Sequence, residues 1–286
     1  MNRVYVSGCF DDIRSGTVRF LEEASRHGPV TVLLRDDESA VGLLGREPRF
    51  PLGERRYFIE ALRWVDAVIV VGADLPADEL PAAAAGRALI LPDGDVRDLP
   101  GSPPGERASA AKLAWCRARG VRPVVLGQGS LEGFRCPEPP RNGGTAPGAR
   151  SRVAIATGSF DWLPNGHVRF FEEASAHGEL TVVVGHDANL RLLKGEGHPL
   201  VPEAERRYMV ASIRHVARAL VSSGSGWLDA EPEIAVVRPD AYVVNADGDK
   251  DEKRRFCEAR GIEYVVLARE PKPGLPRRSS TDLRGF

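Results

Sequence analysis

The chain repeats itself, and this constrains its fold more tightly than any composition figure. VSGCFDDIRSGTVRFLEEASRHGPVTVLL (residues 6–34) aligns without a gap with ATGSFDWLPNGHVRFFEEASAHGELTVVV (residues 156–184). GERRYFIEALRWVDAVIV (53–70) matches AERRYMVASIRHVARALV (204–221), and AKLAWCRARGVRPVVL (111–126) matches DEKRRFCEARGIEYVVL (251–267). Three blocks in one order imply duplication of a unit of about 140 residues. Between the copies, CPEPPRNGGTAPGAR (136–150) is rich in Pro and Gly and lacks apolar periodicity, so it reads as a linker. The expected organisation is a domain at 1–135, the linker at 136–150 and a second domain at 151–286. DLPGSPPGERAS (98–109) has no equivalent in the second copy and reads as a surface insertion.

Each copy alternates short β-branched runs with amphipathic stretches. VAIATG ends in Gly, VRFFEEASAHG spaces its apolar residues as a helix does and closes on Gly, and TVVVG is the next buried strand. ERRYMVASIRHV, DAYVVNADGD and IEYVVLA continue the rhythm. The expected fold is α/β, with two tandem doubly wound parallel sheets. In such sheets ligands gather beyond the carboxyl ends of the strands, where strand order reverses.

The loops at those ends carry the candidate chemistry. After VAIATG come Gly158, Ser159, Phe160 and Asp161, then Pro164-Asn165-Gly166-His167 opening a helix. Amide groups at a helix start suit a phosphate, and glycine lets the chain approach it closely. The turn matches neither the Gly-x-Gly-x-x-Gly dinucleotide pattern nor a P-loop. Lys194 lies in a polar, Gly-rich loop and suits triphosphate charge, whereas His186 and His198 nearby read as polar surface residues. Arg206 stands within the repeated Glu-Arg-Arg, where it or its neighbour Arg207 could be the solvent-facing member. Asn245 and Asp247 follow YVV and suit a substrate hydroxyl or a nucleotide-borne Mg²⁺. Arg269, and Ser279-Ser280-Thr281 beside Arg277 and Arg278, suit an anion.

Bulk properties exclude other classes. With 39 basic against 40 acidic residues, neither a nucleic acid nor a membrane surface is an expected partner. No apolar run approaches the roughly 18 residues of a spanning helix. The four cysteines show no Cys-x-x-Cys spacing and the start shows no charged-then-apolar leader, so a reduced cytoplasmic protein is expected.

Taken together, Gly-x-Phe-Asp, Gly-His at a helix start, a loop lysine, Glu-Arg-Arg and a late Ser-Ser-Thr resemble the cytidylyltransferase-like nucleotidyltransferases. Among these, the pattern is similar to glycerol-3-phosphate and phosphoethanolamine cytidylyltransferases and to heptose-1-phosphate adenylyltransferase. The resemblance implies Rossmann-like domains and transfer of a nucleoside monophosphate from CTP or ATP to a phosphorylated sugar, polyol or amino-alcohol. Pyrophosphate would leave, Mg²⁺ would arrive with the triphosphate, and no dedicated metal residues are expected. His167, Lys194 and Arg206 would be catalytic. Gly158, Ser159, Phe160, Asp161, Gly166, Arg269, Ser279, Ser280 and Thr281 would hold the nucleotide, and Asn245 and Asp247 the substrate. Two departures bear on this: the first motif histidine is Pro164, and copy one reads Arg14-Ser15-Gly16-Thr17 with Leu43-Leu44-Gly45 where copy two has its lysine. Copy one is therefore expected to be a dead structural partner packed on copy two as a pseudo-dimer, with further homo-oligomerisation open. The competing expectation is a nucleotide-binding pseudoenzyme with a regulatory or scaffolding role, or altered chemistry on the same site.

Overall fold

The computed structural model describes residues 3–76, 79–81, 87–93, 108–136 and 151–278. The chain divides into two compact units, Met1–Gly133 and Phe134–Phe286. The first contains β1 (Val4–Gly8), α1 (Ser15–Ser25), β2 (Val30–Arg35), α2 (Asp37–Leu44), α3 (Leu52–Glu60), β3 (Val65–Val71), β4 (Ala88–Pro92), α4 (Ala110–Ala118) and β5 (Arg122–Leu126). Its strands form a parallel sheet in the order β3-β2-β1-β4-β5.

The second contains β6 (Val153–Gly158), α5 (Asn165–Ser175), β7 (Glu179–Val184), α6 (Asp187–Lys194), α7 (Glu203–Ala211), β8 (Arg218–Val221), α8 (Glu231–Val237), β9 (Ala241–Asn245), α9 (Asp251–Glu258) and β10 (Glu263–Leu267). Its parallel sheet runs β10-β9-β6-β7-β8, the order of the first read from the other edge. Both units are thus Rossmann-like α/β sheets, with strand order reversing at the central strand.

Burial explains why these segments take these forms. Ala154, Ile155 and Ala156 of β6 have no exposed surface, the expected state of a central parallel strand covered on both faces. Along α5, Val168, Phe171 and Ala174 recur at helical spacing and are fully buried, so one stripe of the helix packs on the sheet. Gly178 ends that segment at φ +146°, and a Cβ there would lie 2.7 Å from the Arg152 carbonyl oxygen. The cores correspond position for position: Tyr5, Leu33, Leu89, Leu91 and Cys116 cluster in the first unit, and Ile155, Val183, Tyr242, Val244 and Cys257 in the second. Each large apolar side chain so buried contributes about 1.5–3 kcal/mol relative to exposure.

One irregularity positions the site. β6 pairs with β7 along its whole length, from Val153↔Glu179 to Gly158↔Val184. Against β9 it pairs only through Ala154↔Ala241 and Ile155↔Tyr242. Beyond Ile155 the two central strands part, opening a crevice at their carboxyl ends. The parting falls where the connections from β6 and β9 leave in opposite directions. No helix among the described residues is long and apolar enough to cross a membrane.

Candidate active site

The turn after β6 is built around Phe160. This residue sits at φ +47°, a conformation L side chains rarely adopt, and its first-unit counterpart Phe10 sits at φ +51°. The strain places the ring over Gly158, where any Cβ would lie 2.9 Å from the ring. The ring is buried against Phe171 and meets His167 edge-on at 5.3 Å. Phe160 is therefore a wedge under the turn, and its ring packs on that of the histidine.

Asp161 has a similar inward role. Its carboxylate accepts from the backbone N–H groups of Leu200 (2.8 Å) and Val201 (3.0 Å), and lies 3.5 Å from His198 Nδ1. It therefore ties the loop after α6 to the turn after β6.

Arg206 also departs from expectation. It is 1 % exposed, and its guanidinium donates to Val201 O (2.8 Å), Ser159 O (2.5 Å), Gly185 O (2.7 Å) and Asp187 Oδ1 (2.7 Å). With each of its three nitrogens bonded to protein, it holds three loops in place. The first-unit counterpart Arg55 is equally buried and donates to Phe50 O, Cys9 O, Arg35 O and Asp37 Oδ1. Arg206 is thus a buried strut of the turn and loops it joins.

The remaining candidates converge on the crevice. His167 lies in the first turn of α5, whose start at Pro164 has no side-chain cap, and its own N–H closes that turn on the Pro164 carbonyl at 2.9 Å. The His167 Nδ1 is buried without a hydrogen-bond partner. Burial foremost, then the positive charge of Arg269, pushes its pKa down to about 4, against opposing pulls from the Trp162 backbone and the Asp247 carboxylate. The imidazole is therefore neutral at pH 7. Arg269 follows β10 at φ +58° and reaches back over β9 to pair with Asp247. Asn245, at the end of β9, has a buried side-chain oxygen with no partner. From the other flank, Lys194 Nζ donates to Ser159 Oγ at 2.7 Å. At Gly166 a Cβ would come within 3.0 Å of the Arg278 carbonyl, so the closing segment passes directly over the helix start.

Ser279, Ser280 and Thr281 lie outside the described residues. His186, read as a surface group, instead starts α6: its Nδ1 accepts from Asn189 N–H (3.2 Å) and its Nε2 bonds Gly224 O (2.8 Å). The sequence reading passed over Asp187 and Asn189, which hold this edge together, and Trp227, which is half-exposed beside it. Asp187 repeats Asp37 of the first copy and could have been found that way, whereas Asn189 and Trp227 belong to no motif or repeat.

The arrangement of helix amides, a neutral imidazole, a lysine and an arginine around one crevice suits stabilisation of phosphate oxygens. Residues 155–286 match the family model described as cytidylyltransferase-like. The FAD synthase of Methanopyrus kandleri is 39% identical over 135 residues, covering 45% of this chain and 87% of that protein. The FAD synthase of Aciduliprofundum boonei is 37% identical over 134 residues, covering 46% and 83%. A solved lipopolysaccharide core biosynthesis protein from Thermoplasma volcanium is 27% identical and covers 42% of this chain and 98% of its own, at a TM-score of 0.36. On the extent and identity of the sequence matches, the chain belongs to the cytidylyltransferase-like nucleotidyltransferases.

Proposed function

We propose that the second unit transfers the adenylyl group of ATP to a phosphate monoester, with FMN as the acceptor, releasing pyrophosphate. The observation that carries this is the grouping of His167, Lys194, Asp247 and Arg269 about the crevice between β6 and β9. The names of the FAD synthase relatives support ATP over CTP, and FMN over a sugar or polyol phosphate.

A phosphate oxygen of the acceptor attacks the α-phosphorus of ATP. The bond from that phosphorus to the bridging oxygen breaks, and the electron pair leaves on pyrophosphate. No protein nucleophile takes part, so the chain contributes positioning and charge stabilisation. The neutral His167 donates a ring N–H to an α-phosphate oxygen, where charge is shared between entering and leaving groups. The amides opening α5 face the same charge, and Lys194 neutralises phosphate from the flank. Arg269, released from Asp247, binds the polyphosphate. A Mg²⁺ carried by ATP would neutralise phosphate charge, and Asp247 is the residue that would offer it a carboxylate oxygen.

One feature favours a second reading, a nucleotide-binding regulatory protein: Pro164 supplies no side-chain donor where the family motif has its first histidine. Pyrophosphate release separates the two, measured with ATP and CTP against FMN, glycerol 3-phosphate and sugar phosphates. Turnover of ATP with FMN is expected, with a His167→Ala loss of about 10²–10³ in kcat, the scale of one transition-state donor. Tight nucleotide binding without turnover on any acceptor would overturn the transferase reading.

A further inference from the structure

We propose that Lys272 is a positioning residue, and that its ion pair with Glu172 is the catch that seats residues 268–278 as a strap along α5. The strap ends over the start of that helix, so the catch governs how tightly a nucleotide is held there. The inference rests on the transfer reading above for the identity of that ligand and adds a residue to the same site.

The strap leaves β10 and turns one face to the protein. Arg269, Lys272, Leu275 and Arg278, every third residue, are half-buried, and the residues between them are exposed. Arg269 pairs with Asp247, and Lys272 Nζ donates to Glu172 Oε1 at 2.5 Å, across 100 positions of sequence. Leu275 N–H donates to Lys272 O at 2.9 Å and closes a turn. Pro273 and Gly274, the latter at φ +83°, are the residues a type II turn favours at its centre. Arg278 sets its carbonyl oxygen 3.0 Å from where a Cβ of Gly166 would stand. Glu172 to Gly166 is six residues of helix, about 9 Å along the axis. The strap therefore runs back along α5, from its middle to the turn that carries His167. Pro271, Pro273 and Pro276 fix three of its φ angles, so little freedom remains once one point is pinned.

Lys272 is the point that pins it midway. Glu172 already accepts from Arg169 at 2.9 Å, and Arg169 also donates to Glu173 at 2.7 Å, so the helix needs no lysine to balance its charge. His215 lies within electrostatic reach of both Glu172 and Lys272, and burial foremost holds its pKa below 6.5. It is neutral at pH 7 and leaves the carboxylate to the lysine. The first unit shows the alternative. Arg19, Glu22 and Glu23 stand at the same positions and pair in the same way, but residues 127–134 (GQGSLEGF) contain neither lysine nor proline. There Arg19 itself holds the closing segment, donating to Ser130 O at 3.1 Å, and all three charged side chains are buried. The second unit, which has the histidine and the loop lysine, uses a half-exposed ion pair instead. Such a pair shifts an equilibrium by only a few-fold, so the strap is held but can be let go.

ATP is the probe, used with the full-length chain and no acceptor. Lys272→Met keeps most of the side chain's length and removes its charge. It should weaken ATP binding about two- to fivefold at low salt, the scale of one partly exposed pair. The difference from wild type should close at about 0.5 M salt, where charges are screened within a few ångströms. Lys272→Arg should restore the affinity, and adding Glu172→Gln to Lys272→Met should weaken it no further. Hydrogen exchange at Leu275, Arg277 and Arg278 should quicken in Lys272→Met. Wild-type ATP affinity in Lys272→Met at low salt overturns the catch, as do unchanged exchange and fully additive losses in the double variant. Because binding is read without acceptor, failure of every acceptor to turn over overturns the transfer reading alone, and the weakened binding of Lys272→Met still supports the catch.

Discussion

The surroundings of His167 keep its imidazole uncharged. A buried imidazole loses hydration when it ionises, and the nearby guanidinium of Arg269 opposes a further positive charge. Removing that guanidinium withdraws the repulsion and leaves the Asp247 carboxylate unbalanced, and both changes favour protonation. Arg269→Ala should therefore raise the His167 pKa from about 4 towards 6.5, read by NMR titration of the ring. An unmoved titration would separate Arg269 from the site. The same shift has a stability consequence. The neutral form is favoured in the folded state, so stability is complete above pH 6.5 and is lost as pH falls through the interval to about 4. His167 and Lys194 were legible in the sequence because a motif and a Gly-rich loop frame them. The burial of Arg206 was not legible because sequence shows a guanidinium but not the four acceptors that three separate loops bring to it.

Those loops make Arg206 an element-scale feature. It joins the end of β7, the turn after β6 and the approach to α7, so the lysine loop and the phosphate turn are set by one buried cation. Arg206→Met would leave the carbonyls of Ser159, Gly185 and Val201, together with Asp187, without their donor. Breaking a buried charged network by removing one member costs about 3–5 kcal/mol. Arg55→Met should cost the first unit a comparable amount, although that unit lacks the histidine and the lysine. Urea unfolding of the two variants checks this, and a loss confined to Arg206→Met would return the residue to a functional role. The alternation of strands and helices was plain in the sequence, as was the turn opening α5. The pinned loop around Trp227 was not, because hydrogen bonds from Asn189 and His186 to the backbone link segments 37 and 38 positions apart and leave no periodic trace.

At the scale of the whole molecule, the two units share a strand order and a core, yet their turns after the first strand have diverged in charge. In the first unit Thr17 stands in place of the histidine and is 1 % exposed, and Leu44 stands in place of the lysine. Arg14 pairs with Asp12 at 2.8 Å, Arg49 approaches the same carboxylate at 3.4 Å, and Arg46 pairs with Asp11 at 2.9 Å. The loop after α2 is thereby laced to the turn after β1, with the charges of the two facing each other. Such partly exposed pairs add little stability, at most about 1 kcal/mol each, but they occupy the groups an incoming triphosphate would need. Arg14→Ala and Thr17→Ala should therefore leave pyrophosphate release within about twofold of wild type, while His167→Ala in the second unit abolishes most of it. A large loss from either first-unit variant would mean that its turn still takes part in turnover. The contrast is sharp because the counterpart positions are fixed by an ungapped alignment, so the same structural place is tested twice with different chemistry in it.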